Sequence, residues 1–246
     1  MIKILNILAI LMLFASSCQK ASVGDCLKST GSITIEERPI TGFHTIELKD
    51  NIELELHSSN INSLSIEAGK NLLGGIRTTV VDSVLTIENN NSCNWVRDYD
   101  APLKAYLNFI RLDTIQYRSI GDISSIDTVF VENLVINVWE GAGNISFVVN
   151  ARMLFCNLHY GTVDFKMIGR SENCFVYSAS FGLVDNLQLI SKNVYLKTKS
   201  SNDVYVNATH TMDVSLEGIG HVYYKGSPPD ISLNKTGSGE LIRLPE

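Results

Sequence analysis

A glycine recurs about every 20 residues along the second half of the chain, and this repeat constrains the fold more than any other feature. Seven short segments share it, and aligning them on their third residue gives steps of 22, 18, 21, 20, 18 and 19 residues. The aligned column holds Gly121, Gly143, Gly161, Gly182, Asn202, Gly220 and Gly239. Because Asn is the other residue that readily tolerates a positive φ, we interpret this column as a repeated corner turn.

The residues that follow the glycine alternate between apolar and other types. Two positions after it, all seven segments carry an apolar side chain: Ile123, Ile145, Val163, Val184, Val204, Val222 and Leu241. This period of two is typical of a strand with one buried face. A single turn with short strands cannot bury that face alone, but stacked turns can. The sequence therefore predicts an all-β fold, a single-chain β-solenoid resembling a right-handed β-helix, with coils of about 20 residues.

The chain before the repeats has a different pattern. Two stretches, "HTIELKDNIELELHSS" and "SLSIEAGKNLLGGIRTTVVDSVLTIEN", hold alternating strands joined at residues 49–51 and 74–75. We expect these N-terminal strands or hairpins to cover one end of the solenoid, because an open end exposes unpaired sheet edges. At the other end, Pro228, Pro229 and Pro245 are expected to blunt the last coils.

The first 18 residues have the pattern of an export signal. Lys3 precedes an apolar run that is too short to span a bilayer, and the run ends in Ala15-Ser16-Ser17-Cys18. Small residues directly before a cysteine resemble the bacterial lipoprotein box, which implies that Cys18 is lipidated. We therefore expect a lipoprotein signal peptide at residues 1–17, a lipidated cysteine with a short tether at 18–30, and the solenoid domain at 31–246.

The charge balance narrows the classes of partner. The formal net charge is −6, and it becomes −7 without residues 1–17, because Lys3 is the only charged residue among them. The chain contains no block of basic residues. This argues against nucleic acid and anionic membrane surfaces as partners, so the expected membrane contact is through the lipid anchor alone.

Four cysteines remain besides Cys18: Cys26, Cys93, Cys156 and Cys174. No CxxC spacing occurs, so a zinc cluster is not expected. Cys156 and Cys174 are 18 residues apart, close to the length of one coil, and are therefore expected in neighbouring coils. Two interpretations remain open, a disulfide in an exported protein and a pair of buried free thiols.

Several segments together resemble a known family, the head GIN domain of auto-transporter adhesins, a β-helical module of Gram-negative envelope lipoproteins. The resemblance covers roughly residues 31–243 and rests on "ERPITGFHTIEL", "NLLGGIRTTVVDSVLTIE", "LDTIQYRSIGDIS" and the glycine repeats. The chain departs from the family pattern in two places. The segment "YLNFIRLDTI" lacks the expected proline, and "NNNSCNWVRDYD" has the character of a local elaboration. The resemblance implies location and architecture more strongly than activity.

Catalytic and metal-binding sites both depend on carboxylates that lie close together. β-Helices include polysaccharide lyases and hydrolases, which need convergent carboxylates. Asp122 and Asp203 follow the turn but lie four coils apart, about 19 Å at the rung spacing, so they cannot share a proton or a metal. Asp164 and Asp185 share a place in successive coils and are a candidate weak cation site. We expect no catalytic residues and no cofactor.

Two further features concern the outer surface. Tyr205 and Tyr223 occupy adjacent outward positions and are a candidate ligand surface, because exposed aromatic rings stack on sugars or fill a partner's pocket. The alternative is that such rings only stabilise the sheet. Three segments, Asp82-Ser83-Val84, Asp113-Thr114-Ile115 and Asp127-Thr128-Val129, resemble an O-glycosylation pattern of Gram-negative envelope proteins. Five histidines are scattered without metal-ligand spacing: His44, His57, His159, His210 and His221.

These observations favour a non-catalytic β-solenoid, anchored by lipid in the outer membrane of a Gram-negative cell envelope. Its long flank is expected to recognise a glycan, a matrix component or an envelope protein. Two alternatives remain open, a polysaccharide-processing β-helix enzyme and a periplasmic structural or signalling lipoprotein without an external ligand. After Cys18 the chain reads "QKASVG", without the acidic cluster that often accompanies surface export, so the face of the outer membrane stays undecided.

Overall fold

The computed structural model describes residues 29–92 and 101–245, and Cys18, Cys26 and Cys93 lie outside these ranges. The described residues form sixteen strands and one short 3₁₀ turn at Leu73–Gly75. The strands are β1 Ile33–Arg38, β2 Thr45–Asp50, β3 Glu53–Ser58, β4 Ser63–Gly69, β5 Ile76–Val81, β6 Val84–Asn89, β7 Lys104–Phe109, β8 Thr114–Ser119, β9 Ile123–Gly141, β10 Asn144–Leu158, β11 Asp164–Ser178, β12 Val184–Thr198, β13 Val204–Leu216, β14 Val222–Lys225, β15 Asp230–Lys235 and β16 Leu241–Arg243.

The second half of the chain is a parallel β-solenoid of about six turns, with coils of about 20 residues. Strands β9 to β13 lie side by side in parallel register, and β14, β15 and β16 continue the stack. The register shifts at residues 146–148 and 166–168, where the long strands bend around a corner. The predicted all-β solenoid is confirmed.

The core consists of columns of apolar side chains that run along the solenoid axis. One column, with one residue from each successive coil, contains Leu54, Ile123, Ile145, Phe165, Val184, Val204, Val222 and Leu241. A second column on the opposite strand segment contains Ile115, Ile136, Cys156, Val176, Leu196, Val214 and Leu233. Most of these side chains are fully buried, which explains why the repeats need one another to fold.

The N-terminal strands close one end of the stack with a mixed sheet. β1 is antiparallel to β4, and β4 is antiparallel to β7, which then pairs in parallel with β3. β5 and β6 form a hairpin whose turn holds Asp82 and Ser83, both at positive φ. β2 and β3 join the solenoid through β8 and β9, so this part covers the first coil as the sequence predicted.

At the corner turn, the coil that contains Gly161 differs from the sequence alignment. Gly161 packs against Gly141, whereas Val163 lies between Gly143 and Gly182. Phe165 rather than Val163 therefore occupies the inward column, opposite Ile145. The alignment of this coil was wrong by two residues, because the segment 141–143 offers two glycines and only the first matches Gly161.

Glycine is required at most of these corners because successive backbones approach closely. A Cβ on Gly182 would lie 1.8 Å from the carbonyl oxygen of Val163, and one on Gly220 would lie 2.1 Å from that of Asn202. Positive φ occurs at Gly141, Gly143 and Gly161 but at neither Gly182 nor Asn202. Glycine recurs at the corners mainly because there is no space for a side chain. A left-handed backbone conformation is a second reason at only some of the corners.

A buried tyrosine bridges two coils at the same corner. The hydroxyl of Tyr117 shares its proton between the carbonyl oxygens of Gly121, at 2.9 Å, and Ala142. Burial, with a smaller contribution from the Asp122 carboxylate, raises the pKa of Tyr117, so the hydroxyl stays a donor. This side chain satisfies two carbonyl groups that the turn removes from the β-ladder.

The far end of the solenoid is less covered. β15 pairs with β13 on one side, and its inward residues Ile231 and Leu233 remain 44% and 45% exposed. Pro228 and Pro229 come directly before this strand. Among the described residues, no helix has the length and apolar character needed to cross a lipid bilayer.

Candidate binding face

The two acidic residues of the candidate cation site do not share a rung. Asp185 lies opposite Lys166, and the carboxylate of Asp164 accepts a hydrogen bond of 2.9 Å from the backbone N–H of Leu183. Asp185 accepts a bond of 3.2 Å from the N–H of Leu187. The prediction that these carboxylates stack was therefore wrong, because the Gly161 coil is offset by two residues. Within the described ranges, no group of three or more His, Cys, Asp or Glu residues could hold a metal ion.

Tyr205 and Tyr223 lie on adjacent rungs with their rings stacked, at a centroid distance of 4.9 Å and an interplanar angle of 11°. His221 meets the Tyr223 ring edge-on at 6.0 Å. Burial, followed by the nearby Asp203 carboxylate, raises the pKa of Tyr205. Each ring covers one face of the other, and both side chains are half-buried.

A longer aromatic stack lies on the outward side of the second strand segment. The ring of Phe175 stacks on Phe155 at 4.5 Å and on Tyr195 at 4.8 Å, with interplanar angles of 8° and 13°. The next residue in this column is Asp213, whose side chain is shorter than a ring. The stack therefore ends at Tyr195, which is 38% exposed and keeps one ring face open toward Asp213.

The neighbouring outward column is polar and begins with an amide ladder. Asn137 donates to Gln116 at 3.3 Å, and Asn157 donates to Asn137 at 2.9 Å. Continuing along the register, the column passes through Tyr177, Lys197 and Ser215. Beside it, the imidazole of His159 stacks on the indole of Trp139 at 4.3 Å. The outward side of the second strand segment thus combines aromatic rings with amides and hydroxyls.

A groove of about 330 Å³ lies between the aromatic and the polar columns. Phe175, Tyr195 and Asp213 form one wall, and Asn157, Tyr177, Lys197 and Ser215 form the other. Its floor is the strand backbone at Val176 and Leu196, whose side chains point into the core. Ligand-binding clefts typically have volumes of roughly 300–1,000 Å³, so this groove is at the lower end of that range.

The charges of the groove are partly paired. Lys197 forms an ion pair of 2.8 Å with Glu217, which also lies 3.4 Å from Lys199. The hydrogen bond between Lys197 and Glu217 raises the pKa of the lysine and lowers the pKa of the carboxyl. By contrast, the Asp213 carboxylate and the Tyr195 hydroxyl have no hydrogen bond or ion pair to any residue that the structure describes. These groups are available to a ligand.

Sequence reasoning missed this groove, although a signal was present. Phe155, Phe175 and Tyr195 are each 20 residues apart, which is one coil. The glycine repeat fixes the positions only of the residues just after it, and the second strand segment of each coil lies beyond them. The ring stacking and the opening beside Asp213 depend on register and side-chain geometry, which the spacing alone does not give.

The two described cysteines lie in neighbouring coils and are both buried free thiols. Cys156 pairs in register with Val176, whereas Cys174 pairs with Leu154, so the two are offset by two residues. Burial raises the pKa of the Cys156 thiol, and its contact with Cys174 adds to this. For this pair of cysteines, the structure agrees with the second interpretation left open by the sequence, two buried free thiols.

The fold and this face define a class of protein, a parallel β-solenoid that presents a grooved lateral surface. A family model described as "Putative auto-transporter adhesin, head GIN domain" matches residues 42–228. The chain therefore belongs to this family, as the resemblance predicted. Among curated proteins, none matches the chain.

Solved structures share the fold at low sequence identity. A putative adhesin from Bacteroides fragilis has 22% identity and a TM-score of 0.79, covering 87% of this chain and 97% of its own. A putative lipid binding protein from Parabacteroides distasonis has 20% identity and a TM-score of 0.66, with coverages of 88% and 98%. A putative adhesin from Parabacteroides merdae has 17% identity and a TM-score of 0.62, with coverages of 89% and 99%.

Proposed function

We propose that the protein is a non-catalytic recognition module of the Gram-negative cell envelope, held at the outer membrane by lipid on Cys18. The single observation that supports this most is the groove between the aromatic and polar columns. It presents an open ring face and unpaired polar groups on a surface fixed by the β-ladder. A glycan, a matrix component or an envelope protein is the proposed partner.

The family membership supports this proposal through its description as an adhesin head domain. The relatives described as putative adhesins and as a putative lipid binding protein are consistent with a module that binds rather than reacts. The signal-like segment ending at Cys18 supports export and anchoring. Lipidation would keep the solenoid at the membrane while leaving its lateral face free.

The anchoring part is tested by fractionating cells that express the wild-type chain or a Cys18→Ala variant. We expect the wild type in the membrane fraction and the variant in the soluble or secreted fraction. Protease treatment of intact cells, with detergent-lysed cells as the accessibility control, then reports the face of the membrane. Membrane retention of the Cys18→Ala variant would contradict the lipid anchor.

The binding part is tested with a Tyr177→Ala/Tyr195→Ala variant, which removes one ring from each wall of the groove. Fluorescently labelled full-length chain is applied to immobilised envelope polysaccharide and matrix glycoproteins. We expect binding by the wild type and loss of binding by the variant, while Tyr205→Ala/Tyr223→Ala on the other face binds normally. Release of new reducing sugar ends by the wild type would instead favour the polysaccharide-processing alternative.

A further inference from the structure

We propose that the groove binds a neutral pyranose oligosaccharide, with one sugar ring on the open face of Tyr195 and its hydroxyls bonded to Asp213. This inference rests on the proposed function, because it names the ligand class of the same groove. It assigns the contact to Tyr195, which is 38% exposed and lines the groove, rather than to Tyr205 and Tyr223, which are half-buried.

The composition of the groove matches the two-sided chemistry of a sugar ring. A pyranose has C–H groups on its faces and hydroxyl groups around its rim. The Tyr195 ring supplies an apolar surface on the side away from Phe175, where only the short Asp213 side chain follows. The Asp213 carboxylate accepts bonds from hydroxyl donors, and as an ionised acceptor it makes stronger hydrogen bonds than a neutral group.

The dimensions of the groove suit a sugar ring that lies across the solenoid axis, parallel to the Tyr195 ring, which itself stacks on Phe175 along that axis. The two walls come from outward residues two positions apart on one strand, so they stand about 7 Å from each other. From Asn157 on β10 to Ser215 on β13 the groove crosses three rungs, which is about 14 Å at the rung spacing. The sugar units on either side of the stacked ring therefore extend across the solenoid axis, while the polar side chains of neighbouring coils line the ring that Tyr195 holds.

The charges favour an uncharged sugar over an acidic one. Among the described residues that line the groove, Lys197 is the only cationic one, and Glu217 already pairs with it at 2.8 Å. Asp213 has no cationic partner among the described residues and would repel a uronic acid or sialic acid carboxylate. The formal net charge of the whole chain, −6, adds to this long-range preference.

Isothermal titration calorimetry of the full-length chain in a non-glycosidic detergent tests the proposal. The neutral probes are hexasaccharides of cellulose, laminarin, xylan and mannan, and the acidic probes are oligogalacturonate and a hyaluronan hexasaccharide. We expect saturable binding of at least one neutral probe. The Tyr195→Ala and Asp213→Ala variants should each weaken that binding by about tenfold or more, equivalent to about 1.4 kcal/mol.

Two control variants separate the sugar contact from general damage to the fold. Tyr195→Phe keeps the ring and should bind within about threefold of the wild type, a change of less than 1 kcal/mol. Tyr205→Ala removes a ring from the other face and should bind like the wild type. Equal circular dichroism spectra and melting temperatures of all variants establish that each one is folded.

Three results would overturn the inference. These are the absence of binding by every neutral probe, binding only by the acidic probes, and binding that Tyr195→Ala leaves unchanged. If any of these occurs while the groove variant Tyr177→Ala/Tyr195→Ala still loses envelope or matrix binding, the proposed function stands and only the ligand class is wrong. If that binding also survives the double substitution, both proposals are wrong.

Discussion

The imidazole of His159 lies flat against the indole of Trp139, with ring centroids 4.3 Å apart and planes 6° apart. Tyr177 covers the other side of the imidazole at 5.4 Å. Burial between these rings lowers the pKa of His159 from its ordinary value of 6.5, because the charged form loses hydration. The folded protein therefore keeps this histidine neutral where the unfolded chain would take up a proton.

This lowered pKa predicts a pH-dependent stability. Below the unfolded-state pKa, near 6.5, the unfolded chain binds more protons than the folded one, so the free energy of unfolding falls as the pH falls. The His159 contribution is fully present above that pH and is lost progressively toward the lower folded-state pKa. Urea unfolding between about pH 7.5 and 5.5 should show this fall. His159→Gln should flatten it, whereas His210→Gln, at an exposed site, should not.

Substitution at a crowded corner glycine should be far more harmful than at an open one. In Gly182→Ala the new Cβ would meet the Val163 carbonyl oxygen at 1.8 Å, so we expect a loss of at least about 2 kcal/mol in unfolding free energy. Gly74→Ala is the matched control, because no atom of a described residue lies within 4 Å of the position of its Cβ, and its effect should stay within about 0.5 kcal/mol. Similar denaturation midpoints for both variants would contradict the close-approach explanation.

Loss of the Tyr117 hydroxyl should weaken the corner without removing its ring. Tyr117→Phe leaves the carbonyls of Gly121 and Ala142 without this donor, and an unsatisfied buried group costs about 1–3 kcal/mol. Tyr160→Phe is the control, because Tyr160 is 72% exposed. Chemical denaturation compares the two variants, and an unchanged stability of Tyr117→Phe would show that the bridge between coils contributes nothing.

Cys156 and Cys174 should remain reduced and unreactive in the folded protein. Their offset of two residues across one rung puts their Cα atoms about 8 Å apart, beyond the usual reach of a disulfide. Burial also keeps the Cys156 thiol protonated by raising its pKa. Iodoacetamide with peptide mass spectrometry should label both residues only after denaturation. A cross-linked peptide pair from the native, non-reduced protein would contradict this.

The repeat alone was enough to predict the solenoid, because a glycine every 20 residues and an apolar residue two positions later report directly on turns and buried faces. It was insufficient for the exact register. Gly141 and Gly143 are both compatible with the corner, so sequence spacing could not decide which of them matches Gly161. That ambiguity produced the wrong pairing of Asp164 with Asp185, since a shift of two residues keeps every side chain on its expected face.

The binding groove was less predictable than the fold. Tyr205 and Tyr223 were found because each follows its corner residue, Asn202 or Gly220, by three positions, and they do stack. The groove lies on the other strand segment, where coil lengths vary and no glycine marks the register. The groove is open because the short Asp213 side chain, and not another ring, lies next to Tyr195. This neighbour relationship is known only from the register of the two coils in the structure.

Site-specific photo-crosslinking in living cells tests the central claim, recognition through the groove, most directly. A photoreactive benzophenone amino acid is placed at Ser215 in the groove wall or, as the control, at the exposed corner residue Thr162. We predict a higher-mass adduct from position 215 that disappears when Tyr195→Ala is added, and no adduct from position 162. Equal adducts from both positions, or an adduct that persists in the Tyr195→Ala background, would contradict recognition through this groove.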